Sequence, residues 1–209
     1  INKMGFHPSG LELAIVDESG YFWILDIRTG EVNWKHFLLE KEDEYERYWG
    51  NFCYSPDGRK ILVVYEKIGI QLWNYEQEQC IWSIANPELT RGDLQISHNG
   101  DVFAISTENN RVFLYETETG KMLSELLGHD SKIFRIDFNP DDRLLATASA
   151  DNTARIWNVE NGECVHILRG HSDYVQKAFF HPSGEYLATA GCDGVICIWD
   201  VETGNLVHS

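Results

Sequence analysis

Five cysteines carry the most reactive side chains in this sequence, at Cys53, Cys80, Cys164, Cys192 and Cys197. Zinc sites and dithiol redox centres use closely spaced pairs such as C-x-x-C, and a disulfide framework uses an even number. This chain has neither, so the cysteines read as reduced, mostly buried thiols in a reducing compartment. Polar residues that could serve acid–base chemistry are scattered at Asn51, Gln95, Arg135, Asp137 and Gln176, without metal-ligand or paired-acid spacing. The densest charge lies between Glu40 and Arg47, with five acids, two bases and Tyr45. Such a segment is either a solvated loop or an acidic lip for a basic peptide, with Tyr45 as an aromatic anchor.

The whole chain shares that sign. Its 17 basic and 33 acidic residues give a net charge of −16. That field repels nucleic acid and anionic lipid, and the longest basic run is the doublet Arg59-Lys60. No stretch of 18 apolar residues is present, so no helical membrane span is expected. The first residues, Ile1-Asn2-Lys3, already lie within a repeat, and the expectation is a piece of a longer protein.

The elements that position these residues recur. Phe6-His7-Pro8-Ser9-Gly10 returns as Phe180-His181-Pro182-Ser183-Gly184, with degenerate copies at Tyr54-Gly58, Ile96-Gly100 and Phe138-Asp142. A second signature follows each copy: Leu25-Asp26, Trp73-Asn74, Tyr115-Glu116, Trp157-Asn158 and Trp199-Asp200. Each step from Trp73 to Trp199 is 42 residues, and only the first, from Leu25, is 48. A fixed period of this size indicates an array or a propeller.

One unit explains why. The last reads as strands at Asp173–Phe180, Tyr186–Ala190, Val195–Trp199 and from Asn205, joined by Gly, Pro and Asp turns. The result is an antiparallel meander. Its second and third strands are apolar on both faces, as are Leu144–Ala148 and Ile61–Tyr65. A lone sheet with two apolar faces must be sandwiched, and radial stacking of such sheets does this. No helical periodicity competes, and Leu39–Arg47 is the one segment that could hold a helical turn. Blades are expected over residues 1–47, 48–90, 91–130, 131–172 and 173–209 of a single region. Trp49 aligns with Val175, Ile133 and Ile1 and reads as core.

Gly128-His129 and Gly170-His171 each precede by 28 residues the tryptophan of Ile156-Trp157-Asn158 or Ile198-Trp199-Asp200. In this the chain resembles the tryptophan–aspartate (WD) repeat family of β-propellers, most closely from about residue 121 onward. The resemblance implies an all-β propeller of four-stranded antiparallel blades, five of them present, belonging to a larger seven-bladed ring. It also implies structural tetrads of His129, Thr147, Asp151 and Trp157, and of His171, Thr189, Asp193 and Trp199. The corresponding positions in the first three units hold Ile15, Ser19 and Leu25; Val63, Lys67 and Trp73; and Ile105, Asn109 and Tyr115, with Pro87 in place of the histidine. Those blades are expected to depend on packing alone. A Thr–His–Asp set also invites comparison with a hydrolase triad. Its recurrence inside apolar strands points to a scaffold element instead.

In such a propeller the loops before the first strand and between the second and third share one rim, which family members often use for partners. The resemblance therefore implies a non-catalytic scaffold for protein–protein interaction. The alternative is a regulatory or sensor module of a larger enzyme or signalling protein whose catalytic domain lies elsewhere. Candidate partner-binding residues are Glu42, Asp43, Glu44, Tyr45, Glu46, Tyr48 and Tyr174. Expected partners are proteins, including basic peptides or surfaces. No cofactor, metal, nucleic acid, membrane or small-molecule substrate is expected, and the expected location is cytoplasmic, with the nucleus also open.

Overall fold

The computed structural model describes residues 1–37, 49–66, 68–85 and 92–209. They form twenty strands in five four-stranded antiparallel sheets, each in sequence order. The first is β1 (Lys3–Phe6), β2 (Glu12–Val16), β3 (Tyr21–Asp26) and β4 (Val32–Phe37), and the second β5 (Gly50–Tyr54), β6 (Ile61–Tyr65), β7 (Gly69–Asn74) and β8 (Gln79–Ile84). The third comprises β9 (Leu94–Ile96), β10 (Val102–Ser106), β11 (Val112–Glu116) and β12 (Met122–Leu126). The fourth comprises β13 (Ile133–Phe138), β14 (Leu144–Ser149), β15 (Thr153–Asn158) and β16 (Cys164–Arg169). The fifth comprises β17 (Val175–Phe180), β18 (Tyr186–Gly191), β19 (Ile196–Asp200) and β20 (Leu206–His208). These are five blades of a β-propeller, with no helix among the described residues. The segment considered for a helical turn, Leu39–Arg47, lies outside them.

Contacts divide the chain into two compact units, residues 1–91 and 92–209. The first unit holds two blades and the second three. In the first, Val16, Phe22 and Ile24 of one sheet pack with Phe52, Val63 and Tyr65 of the next. In the second, Ala146, Ala148, Ala154 and Ile156 of the fourth blade receive Val175, Ala178 and Leu187 of the fifth. The other side of the fourth blade packs on the third, where Leu145 and Trp157 join Ala104 and Leu114.

This sandwiching accounts for strands that lack alternation. Every residue of β6 is buried, as are five of six in β14 and in β15. In the fifth blade burial alternates instead: Leu187, Cys197 and Trp199 are buried, while Tyr186 and Ile196 are exposed. Trp49, expected in the core, is half-buried, and its N–H reaches the Glu66 carboxylate. The cysteines are less buried than their composition suggests, since Cys197 is enclosed but Cys164 and Cys192 are exposed.

Turns repeat as faithfully as strands. Gly10, Gly58, Gly100, Asp142 and Gly184 occupy equivalent turn positions with φ between 60° and 82°. Between strands two and three, Asn110, Asn152 and Gly194 do the same with φ of 63°, 66° and 80°. Asn and Asp tolerate this left-handed region better than other side chains.

Carboxylates also cover the first strands' open edges. Asp93 accepts the Ile136 N–H at 3.0 Å, and Asp137 accepts the Phe180 N–H at 2.9 Å. Each carboxylate thus satisfies an edge donor of the following blade, which also blunts that edge against stray pairing.

Candidate functional site

The fourth and fifth blades place their His, Thr, Asp and Trp side chains in hydrogen-bonded series. The β14–β15 turn supplies Asp151, β14 supplies Thr147, β15 supplies Trp157, and the loop before β13 supplies His129. The Trp157 indole N–H donates to Thr147 Oγ1 at 2.9 Å. Having accepted that bond, the Thr147 hydroxyl donates to His129 Nε2 at 2.6 Å. The imidazole proton then sits on Nδ1 and points at Asp151 Oδ2, 2.7 Å away. Asp151 also accepts the Asp130 N–H and both donors of Thr153.

One period later the pattern returns. Trp199 donates to Thr189 at 2.8 Å, Thr189 meets His171 Nε2 at 2.8 Å, and His171 Nδ1 lies 3.0 Å from Asp193 Oδ2. Asp193 accepts the Ser172 N–H as well. Each series therefore ties the loop entering a blade to the turn between that blade's second and third strands.

The electrostatics suit a brace. Burial by itself would raise the Asp151 carboxyl, but the His129 and Thr153 hydrogen bonds and the Asp130 N–H together hold it well below the usual carboxylate range. Asp193 is lowered chiefly by the Val195 N–H, with Ser172 and His171 adding to it. A serine-type hydrolase needs a hydroxyl open to substrate. Here Thr147 is 0 % exposed and Thr189 1 %, and both hydroxyls are fully engaged. Among the described residues no group of three or more His, Cys, Asp or Glu side chains is placed to hold a metal ion.

The first two blades do not rest on packing alone, as the missing tetrad residues suggest they should. In the first blade Asp17 accepts the Ser19 and Tyr21 N–H groups and the Trp23 indole N–H, the last at 2.9 Å. The Lys35 ammonium sits 4.0 Å from the Tyr21 ring centre and 4.1 Å from that of Trp23. In the second blade the Trp73 indole finds Gln71 at 2.9 Å. The third substitutes a stacked Phe103–Tyr115 pair, with ring centres 4.9 Å apart. An indole N–H takes whichever acceptor is near, so the repeat's alignment could not reveal these partners. Lys67 and Pro87 lie outside the described residues.

Of the candidate rim residues, Glu42, Asp43, Glu44, Tyr45, Glu46 and Tyr48 also lie outside the described residues. Tyr174 is described: it is 49 % exposed and lies near Phe134, with ring centres 6.3 Å apart. Close by, the Gln176 amide approaches the Cys192 sulfur at 3.0 Å, and the Arg135 guanidinium lies 4.8 Å from the centre of the Phe179 ring. Sequence reasoning missed these neighbours, although the period does place Phe134 and Gln176 at one position of successive blades.

The family model for the WD domain, G-beta repeat, matches residues 120–158 and 162–200. Each match runs from the end of one blade through the third strand of the next, and so contains one complete hydrogen-bonded series. The chain carries two repeats of the WD family. Among WD-repeat relatives, Meiotic recombination protein rec14 of Schizosaccharomyces pombe is 28 % identical over 149 residues, covering 70 % of this chain and 49 % of that protein. The uncharacterized WD repeat-containing protein sll1491 of Synechocystis sp. is 28 % identical over 95 residues, covering 46 % and 27 %. Apoptotic protease-activating factor 1 of Danio rerio is 28 % identical over 157 residues, covering 71 % and 12 %. This WD-repeat chain thus spans at most about half the length of these relatives. WD-repeat proteins act in general as protein-interaction scaffolds and are typically non-catalytic.

Proposed function

We propose that this chain is a non-catalytic WD-repeat scaffold whose rim loops engage a protein partner. The observation that carries this reading is the consumption of the tetrads' Thr, His and Asp side chains by a buried brace that holds the rim loops in place. A rigid rim lowers the ordering cost of association. Tyr174 is the described aromatic on that rim, and the net charge of −16 favours a basic peptide or surface as its partner. The acidic residues Glu42, Asp43, Glu44 and Glu46, with Tyr45 and Tyr48, are assigned to the same rim on sequence grounds.

A reducing, cytoplasmic or nuclear location belongs to the same proposal. The short share of Apoptotic protease-activating factor 1 that the chain spans favours a second reading, a regulatory propeller of a longer protein.

Chemical cross-linking of the full chain to its partner in native extract, read by mass spectrometry, tests the rim. Cross-links should map to the loops around Tyr174 and residues 42–48. Tyr174→Ala and the quadruple E42Q/D43N/E44Q/E46Q should each reduce partner recovery, and unchanged recovery from both would overturn the assignment. If the partner is a domain of the same polypeptide, the cross-links become intramolecular.

A further inference from the structure

At the other end of the blades, a hydrogen bond latches neighbouring turns at one junction in each unit. In the first unit the His7 ring donates to the Gly58 carbonyl at 2.9 Å, latching the β1–β2 turn to the β5–β6 turn. A Cβ on Gly58 would lie 2.2 Å from His7 Nε2, so that latch needs the glycine. Between the third and fourth blades, Asp142 closes the same gap. Its carboxylate accepts the His98 N–H, the His98 ring and the Asn99 N–H, each at 2.8 Å.

One period later the latch is absent. Pro140 stands where His98 would be, Asp141 replaces Asn99, and Gly184 replaces Asp142. Proline has no N–H to give and glycine has no carboxylate to receive it. Among the described residues no hydrogen bond joins the Asn139–Asp142 and His181–Gly184 turns. A cleft of about 620 Å³ opens between the fourth and fifth blades instead.

The same register step converts its charge. At the third-to-fourth junction the corresponding positions are Asn99, Arg143, Asn158 and Glu160, one base and one acid. At the cleft they are Asp141, Glu185, Asp200 and Glu202, and no Lys or Arg lines it. Asp200 is held by Thr203, while Glu185 takes a hydrogen bond from Ser183. Between these acids Leu144, Val165 and Val201 provide apolar surface.

From this unlatched junction we infer that the cleft is a second docking site, taking a segment of another protein in which a Lys or Arg is flanked by an apolar side chain. The volume lies within the range of ligand-binding clefts, roughly 300–1,000 Å³. The cation would meet the acidic lip while its aliphatic stem and the apolar neighbour cover Leu144, Val165 and Val201. This site is separate from the rim and stands whether or not the rim binds.

Fluorescence anisotropy on the full 209-residue chain tests it, with dye-labelled Leu-Lys-Leu-Arg-Leu, Gly-Lys-Gly-Arg-Gly and Leu-Glu-Leu-Glu-Leu as probes. The first should bind, the second more weakly, and the third not at all. Glu185→Gln with Glu202→Gln should weaken the first by about tenfold or more, the loss expected on removing charged partners worth about 1.4 kcal/mol or more. The double variant P140H/G184D rebuilds the Asp142-type latch and should abolish binding. Asp142 itself holds φ of 60°, so an aspartate at this turn position is tolerated. Glu31→Gln with Glu108→Gln, an equal loss of charge elsewhere, should change affinity by less than about twofold. Far-ultraviolet circular dichroism and tryptophan fluorescence check that each variant folds. Absent binding by the wild type, an equal effect of the E31Q/E108Q control, or unchanged binding by a folded P140H/G184D variant would overturn the site.

Discussion

Thr147 and Thr189 each use one hydroxyl to accept from an indole and donate to an imidazole. Replacing Thr147 by Val leaves both partners buried without a match, and unfolding in denaturant should show a loss of about 1–3 kcal/mol. Trp157→Ala removes the bulk as well as the bond, and the same measurement should give about 3–5 kcal/mol. A loss below about 1 kcal/mol in the latter would mean the ring packs far more loosely than its 2 % exposure indicates. Asp151 gives the site a pH signature. Its folded pKa lies below the unfolded value, so its stabilising contribution is complete above the unfolded carboxylate pKa of about 4 and is lost as pH falls through the lower folded value. Asp151→Asn should therefore flatten the acid limb of stability below about pH 4 while lowering stability at neutrality. An unaltered acid limb would remove Asp151 from that role.

At the scale of elements, what joins blades is as informative as what forms them. Asp137 caps the Phe180 N–H across a blade boundary, and burial raises its pKa despite that bond and the nearby Arg135 charge. Asp137→Ala should cost about 1–3 kcal/mol by orphaning a buried donor. Hydrogen exchange should show faster turnover at Phe180 than at Ala178, and no change at Phe180 would mean water serves it equally well. Gly50 marks a different boundary in the first unit. A Cβ there would sit 2.7 Å from Tyr65 Cδ2 and 2.8 Å from Val16 Cγ2, so any side chain would overpack the seam between the first two blades. Strand existence was legible from runs such as Ile61–Tyr65 and from turns such as Cys192-Asp193-Gly194. Strand ends were less so: the apolar pattern starts the fifth blade's first strand at Asp173, and the strand begins at Val175. The partners of Trp23 and Trp73 were not legible, because Asp17 and Gln71 occupy positions outside the repeat's own pattern.

Across the whole molecule, the two hydrogen-bonded series belong to the unit of residues 92–209 and have no counterpart of that form among the described residues of 1–91. Hydrogen exchange by mass spectrometry should accordingly find the slowest amides in β14, β15 and β18 rather than in β2, β3, β6 or β7. Equal protection in both sets would show that the first unit's own indole bonds and packing serve as well as the two series. Sequence by itself determined the recurring 42-residue period, the antiparallel meander, the apolar central strands and the acidic balance, because each is written in local residue order. It also supplied, through family resemblance, the residues of the two tetrads. Only the tertiary structure decided which acceptors serve the first blades' indoles and where the latch between turns fails. Those outcomes depend on which side chains meet across turns and blade boundaries, and a pattern read along one chain carries no measure of such distances.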